Sequence, residues 1–257
     1  MKVVLKTWLL ITYMFLFAPI FMVVLMSLNL SAYGTFPFVF TTKWYYILFT
    51  ESNLFPATWL SIKLSVSVAF TAAFIGTLTA VGMVRLPRKV AALYTGMTIV
   101  PIVVPWLVLG IAMLLVVTFL GLGRSFTALF LGNLVVTLPY VVLIVYNRLI
   151  DTDPAIEDAA RNLGAGPNRV FFEITVPVAA PAILSGALMS LMVCFNSFVI
   201  QYFLSPFGVR TLPLEIFNLI KVGYRPDMNA LASILVIVSF AAVISLGKLG
   251  SSADKLF

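Results

Sequence analysis

The sequence predicts an all-α membrane protein with six transmembrane helices. Apolar residues make up 62% of the chain and charged residues only 10%, with a mean hydropathy of +1.12. The apolar residues fall into six stretches, at 7–28, 60–84, 93–120, 126–146, 178–204 and 228–247. The basic residues, finally, are distributed unevenly between the segments joining these stretches. A soluble domain carries about a quarter charged residues, so this much apolar surface has to face lipid.

Each stretch approaches or exceeds the roughly 20 residues that cross a bilayer core as helix. The backbone in lipid has to pair with itself, and the runs lack the alternation of barrel strands, so helices are expected. The run Thr7–Leu28 follows Lys2 and Lys6 in the manner of a signal peptide. It exceeds the usual h-region of about 7–15 residues and no clear cleavage site follows, so it is expected to be a retained first span. Ala72, Gly76 and Ala80 in the second stretch, and Ala182, Gly186, Ser190 and Cys194 in the fifth, form small-residue ridges on which helices can approach closely. Pro101 and Pro105 predict a kink in the third.

With the N-terminus inside, the inner segments hold Lys2, Lys6, Arg85, Arg88, Lys89, Arg148, Arg161, Arg169, Lys248 and Lys255, against Lys43, Arg124, Arg210, Lys221 and Arg225 outside. The excess of inner basic residues predicts cytoplasmic N- and C-termini. Lys63 lies at a span edge, where it can snorkel. Of the two longer outer segments, 29–59 holds Trp44, Tyr45, Tyr46 and Trp59, which suit a headgroup belt, and 205–227 has room for a short interfacial helix over Leu212–Lys221. Neither is long enough for a separate domain. The chain is therefore expected to be one transmembrane domain, 1–257, with its core at 57–248.

The inner segment 147–177 departs from the rest, with eight of the 25 charged residues. Asp153 and Pro154 read as the start of a short helix. Glu157 and Asp158 follow in its early turns, where the helix dipole favours acid. Ile156, Ala159, Ala160 and Leu163 share one face, and Gly164 supplies a left-handed stop. A second short helix is expected from Pro167 towards Ile174, ending before Pro177. An alanine-rich apolar face rimmed by charge suits a shallow groove on another protein; lying under the chain's own bundle is the other possibility.

Asp158-Ala159-Ala160, then Gly164, then Ile174-x-Val176-Pro177 resembles the "EAA" loop of ABC importer permeases, with Asp in place of Glu and Val in place of Leu. Pro101–Pro105 with Gly110-Ile111-Ala112, and Thr211–Ile216 with Asn229–Ala232, resemble the spermidine/putrescine permease subfamily. The resemblance implies the type I importer permease architecture in a bacterial inner membrane. It implies docking of an ATP-binding-cassette ATPase, present in two copies, on Glu157, Asp158, Ala159, Ala160, Leu163 and Gly164. It also implies a second, related permease chain and an extracytoplasmic solute-binding protein delivering a polyamine or similar nitrogenous solute.

The residues agree with a chain that does no chemistry itself. There is no histidine, the single Cys194 lies in an apolar run, and neither a metal-ligand cluster nor a G-x-x-x-x-G-K-[ST] loop occurs. No catalytic residue, metal or cofactor is therefore expected on this chain, with ATP and Mg held by a partner. The scattered basic residues form no nucleic-acid stripe; membrane lipid is the expected environment. Polar residues at membrane depth usually face the bundle interior or water, which makes Asn196, Gln201, Tyr202 and Asn229 candidates for a substrate path. A stand-alone secondary transporter or channel is the alternative, but it needs ionisable groups within the spans, and only Lys63 comes near.

Overall fold

The computed structural model describes residues 2–31 and 37–253, with side chains placed over 4–31 and 37–241. Its helices are α1 (Lys2–Met26), α2 (Lys43–Thr50), α3 (Leu54–Val84), α4 (Arg88–Val103), α5 (Trp106–Phe119) and α6 (Phe126–Ile150). There follow α7 (Ala155–Asn162), α8 (Pro167–Val170), a π turn (Phe171–Thr175), α9 (Val176–Phe195), α10 (Phe198–Leu204), α11 (Leu212–Val222) and α12 (Asp227–Ala253). Among the described residues the only extended pairing is a bridge between Asn29 and Phe40. The all-α expectation holds, and α11 covers the helix expected over Leu212–Lys221.

Four helical runs are long and apolar enough to cross a membrane as single rods: Val4–Met26, Leu54–Val84, Phe126–Ile150 and Pro167–Phe195. The third expected span, 93–120, is not one kinked rod. It is two helices, α4 and α5, whose axes meet at 102°. Pro105 cannot donate the hydrogen bond that would close the next turn, and it forces Val104 into extended backbone (φ −64°, ψ 132°). Pro101, by contrast, is accommodated inside α4. The sixth expected span, 228–247, coincides with α12, whose described side chains end at Ala241.

The expected fifth span, 178–204, also differs. Its helix starts earlier, because the second short loop helix does not stop before Pro177 but runs through the π turn into α9. Val176 donates back to the carbonyl of Phe171, five residues earlier. This wider turn gives room for the Pro177 ring, which would otherwise crowd the carbonyl four residues before it. The span is then interrupted at Asn196–Ser197, before α10.

The chain packs as two compact units, Trp59–Leu214 and Met1–Thr58 with Glu215–Phe257. In the first, α6 is the centre: 61% of its most apolar window is buried, the largest share of any span. The small-residue ridges of α3 and α9 both meet it at Val141. A β-carbon on Gly76 would lie 2.7 Å from Val141 Cγ1, and one on Gly186 would lie 3.1 Å from Val141 Cα. Ala72, Ala80, Val145, Ala179 and Ala182 extend this close-packed layer, and Leu64, Val68, Leu129, Ile200 and Leu204 form a second one. Lipid offers helices no hydrophobic contrast, so such close approach is what holds spans together.

In the second unit α1 packs against α12, with Phe17 and Phe240 rings 6.4 Å apart. The connection after α1 is pinned by polar contacts: Trp44 Nε1 donates to the Asn29 carbonyl at 2.7 Å, and the Ser27 and Tyr45 hydroxyls are 2.8 Å apart. Side chains from Val4 to Phe21 are otherwise exposed on all faces of α1, as a lipid-facing helix requires.

Replacing Gly186 by Leu is expected to destabilise the protein by about 1–3 kcal/mol or more, because the α6 backbone at Val141 cannot give way. Gly82→Leu, where a β-carbon meets nothing within 4 Å, serves as the control. Thermal unfolding in detergent, read by size-exclusion fluorescence, checks the difference.

Candidate functional site

The segment 151–177 folds as α7, α8 and the π turn that leads into α9. The Asp153 carboxylate accepts from the Ala155 N–H at 2.9 Å, and Pro154 already has helical backbone (φ −62°, ψ −20°). These two residues start α7 as the sequence implies, with Glu157 and Asp158 in its first turn. The helix ends in a Schellman turn. Gly164 takes φ +87°, its N–H donates to the Arg161 carbonyl, and the Ala165 N–H reaches back to Ala160. Such a left-handed residue favours glycine, which has no Cβ to clash.

None of the residues of α7 is buried. Ile156 and Ala159 are exposed and Leu163 is 90% exposed, while Ala160 is half-buried. The apolar face read from the sequence is thus not covered by the chain's own bundle. Asp158 points outward and pairs with Arg161 at 3.0 Å.

Glu157 turns the other way. One carboxylate oxygen accepts from Arg161 at 2.7 Å, and the other accepts from the hydroxyl of Thr175 at 2.7 Å. Arg85, just beyond α3, lies 4.0 Å from the same carboxylate. These residues line a cleft of about 430 Å³ floored by Val81, Val84, Leu149 and Val178. Sequence reading missed Thr175 and Arg85. Thr175 occupies the unspecified position of Ile174-x-Val176-Pro177, and Arg85 had been read only as a topology charge.

The candidate path residues do not gather on one surface. Gln201 is fully buried, and its amide donates to the Cys194 carbonyl at 2.7 Å, across the break between α9 and α10. Asn196 is exposed and donates to its own helix at the Met192 carbonyl. Tyr202 is 45% exposed beside Phe198 and Phe203. The break is further fastened by Ser197, whose hydroxyl donates to Asn133 Oδ1 at 2.6 Å, while Asn133 donates to Leu129.

In the other unit, Asn229 is half-buried and bonds the Tyr224 hydroxyl. Burial raises the Tyr224 phenol above its ordinary range; the Asn229 hydrogen bond draws it partly back, and the Asp227 carboxylate adds to the rise. Asp227 is buried at the start of α12 and held in a two-point ion pair by Arg225. Among the described residues no group of three or more Cys, Asp or Glu has metal-ligand geometry.

Residues 72–250 match the family model described as "Binding-protein-dependent transport system inner membrane component". The chain is 34% identical over 233 residues to the spermidine/putrescine transport system permease protein PotC of Escherichia coli K12, covering 91% of this chain and 88% of that protein. It is also 34% identical over 245 residues to the putrescine transport system permease protein PotI of the same strain, with 91% and 87% covered. Among solved structures, a bacterial ABC transporter involved in the import of the acidic polysaccharide alginate superposes with a TM-score of 0.71 at 14% identity, covering 97% of this chain and 95% of that one. An amino acid ABC transporter gives 0.56 at 18% identity, with 79% and 93% covered. At those identities the structural likeness concerns the fold, which is that of importer permeases.

Replacing Ser197 by Ala leaves Asn133 buried with one acceptor unmatched. The expected cost is about 1 kcal/mol, within the range of buried hydrogen bonds in membrane proteins. A lowered unfolding temperature in detergent checks it, with the exposed Ser185→Ala as control.

Proposed function

Because the chain belongs to the family of binding-protein-dependent transport system inner membrane components, we propose that α7 is the surface on which an ATP-binding-cassette subunit docks, and that the chain forms half of a polyamine translocation path. It is an inner-membrane permease of an ABC importer. The observation that carries the docking assignment is the uncovered apolar face of Ile156, Ala159 and Leu163, rimmed by the Glu157, Asp158 and Arg161 charges. An exposed apolar strip of this kind on a water-facing loop gains by burial against a partner groove. Ala159 and Ala160 keep the helix thin enough to seat closely, and Gly164 fixes where it ends.

ATP and Mg belong in this reading to the docked subunits, two per transporter, and this chain contributes no catalytic group. Both termini and the 147–177 loop lie on the cytoplasmic side, and the whole chain acts as one permease domain. A second, related permease chain completes the path, and an extracytoplasmic binding protein delivers the solute. Polyamine as the solute class comes from the PotC and PotI relatives. A polycation is stabilised by carboxylates along its route. In this chain Asp227 is engaged by Arg225 and Glu215 is buried, so the second permease chain and the binding protein supply that charge. Asn196 and Tyr202, exposed beside the broken span, are the path residues this chain offers; Gln201 holds the break, and Asn229 with Tyr224 shapes the outer segment before α12.

Two measurements test these assignments. Ala159→Trp, on an exposed position where the fold tolerates bulk, is expected to reduce the ATPase co-purifying in mild detergent about tenfold, as loss of a central interface contact does. Full retention would remove α7 as the docking surface. Asn196→Ala is expected to lower putrescine or spermidine uptake in reconstituted vesicles while ATPase retention stays at the wild-type level. Unchanged kinetics for each polyamine would take Asn196 off the path.

A further inference from the structure

We propose that Glu157 is a positioning residue, the joint through which movement of α7 reaches the spans. This rests on the docking assignment above and adds to it the route inside this chain. Among the described residues, every side-chain hydrogen bond or ion pair leaving α7 for another element runs through this one carboxylate, to Thr175 and to Arg85. Arg161 and Asp158, the other charged side chains of α7, pair within the helix.

Beyond its contact with α8 and the π turn, α7 has little buried packing through which to carry a push. α7 buries no residue, and a cleft of about 430 Å³ separates its inner side from Val81, Leu149 and Val178. At both ends it is joined by turns, 151–153 before it and the Gly164–Gly166 turn after it. The Glu157 contacts, by contrast, fall where the spans begin. Thr175 is 4% exposed and closes the π turn at the foot of α9, and Arg85 follows the last residue of α3. These are the two helices whose glycines clasp Val141 from either side.

The π turn makes the Thr175 attachment suitable for transmitting a tilt. Its hydrogen bond runs from Val176 to Phe171, a wider loop than an α-turn, and single π turns inside helices are frequent at functional sites. A charge-assisted bond donated by the Thr175 hydroxyl to the carboxylate then fixes α7 to this turn. Arg161 holds the carboxylate in place from the α7 side, so that the joint stays aligned.

The test uses the complete transporter, reconstituted in vesicles with its binding protein and supplied with putrescine and ATP. Three variants of this chain, Glu157→Ala, Glu157→Gln and Thr175→Val, are compared with wild type. ATPase retention, ATP hydrolysis and putrescine moved per ATP are measured for each. Retention and hydrolysis are expected to stay near wild type for Thr175→Val, which changes a buried residue off the docking face; for the two Glu157 variants, on the rim of that face, transport is read per ATP hydrolysed by the ATPase that is retained. Putrescine moved per ATP is expected to fall about tenfold in Glu157→Ala and Thr175→Val, the order of effect that loss of one charge-assisted hydrogen bond has. Glu157→Gln, whose amide oxygen still accepts from Thr175, is expected to keep more of it than Glu157→Ala.

An unchanged ratio in Thr175→Val or Glu157→Ala overturns the joint. So does loss of the ATPase from Thr175→Val, which would make the fall in transport a docking defect. Thr175→Val conserves shape, so it carries the test if Glu157→Ala assembles poorly. A wild-type preparation that retains no ATPase would overturn the docking assignment itself, a result distinct from either.

Discussion

The close approach of two helices to Val141 is the constraint on which the rest of this protein is built. Gly76 on α3 and Gly186 on α9 approach α6 at the same residue, where an added β-carbon would lie 2.7 Å from Val141 Cγ1 and 3.1 Å from Val141 Cα. In a bilayer, dispersion contact of this kind has to do what hydrophobic contrast does in water. A three-helix layer α3–α6–α9 held so tightly behaves as a unit: what tilts the foot of one span displaces its neighbours. The Glu157 contacts at the ends of α3 and α9 acquire their meaning from that rigidity.

Against this layer the protein sets helices that are interrupted. The α4–α5 break at Val104–Pro105 and the α9–α10 break at Asn196–Ser197 lie within stretches whose composition reads as continuous. Their causes differ. Proline removes a donor and forces the preceding residue extended in the first. In the second no proline is present, and side chains take over the missing backbone bonds: Gln201 reaches the Cys194 carbonyl, and Ser197 bonds Asn133 on α6. Non-helical backbone at such depth persists only where protein or a polar cavity covers it. The buried polar groups of the fifth span are thus first of all structural, while Asn196 and Tyr202 are exposed beside them.

The loop around α7 is built differently, with apolar residues left exposed and one carboxylate, Glu157, turned towards the bundle. Leu163 is exposed and Ile156 about half so, while Glu157 reaches back to the bundle. A soluble helix with that arrangement would be unstable alone; here the Asp153 start, the Schellman turn at Gly164 and the Arg161 pairs hold its shape while the apolar face waits for a partner. Membership of the importer permease family is consistent with such a partner.

Much of this was legible in the residues themselves. Long apolar runs had to be spans because lipid accepts no unpaired backbone. The start and stop of α7 were fixed by Asp153, Pro154 and Gly164, whose effects are local and need no neighbour. The ridges at Ala72–Ala80 and Ala182–Cys194 announced close packing, since spacing alone puts small residues on one face. What the tertiary structure alone decided was everything that depends on a residue distant in sequence. Asn196 and Gln201, five apart and both polar, read as one lining, yet one is exposed and the other buried across a break. Thr175 carried no signal, because its importance comes from a carboxylate 18 residues away. Spacing along a chain encodes which face a side chain takes within its own helix; which partner meets that face is set only when the helices pack.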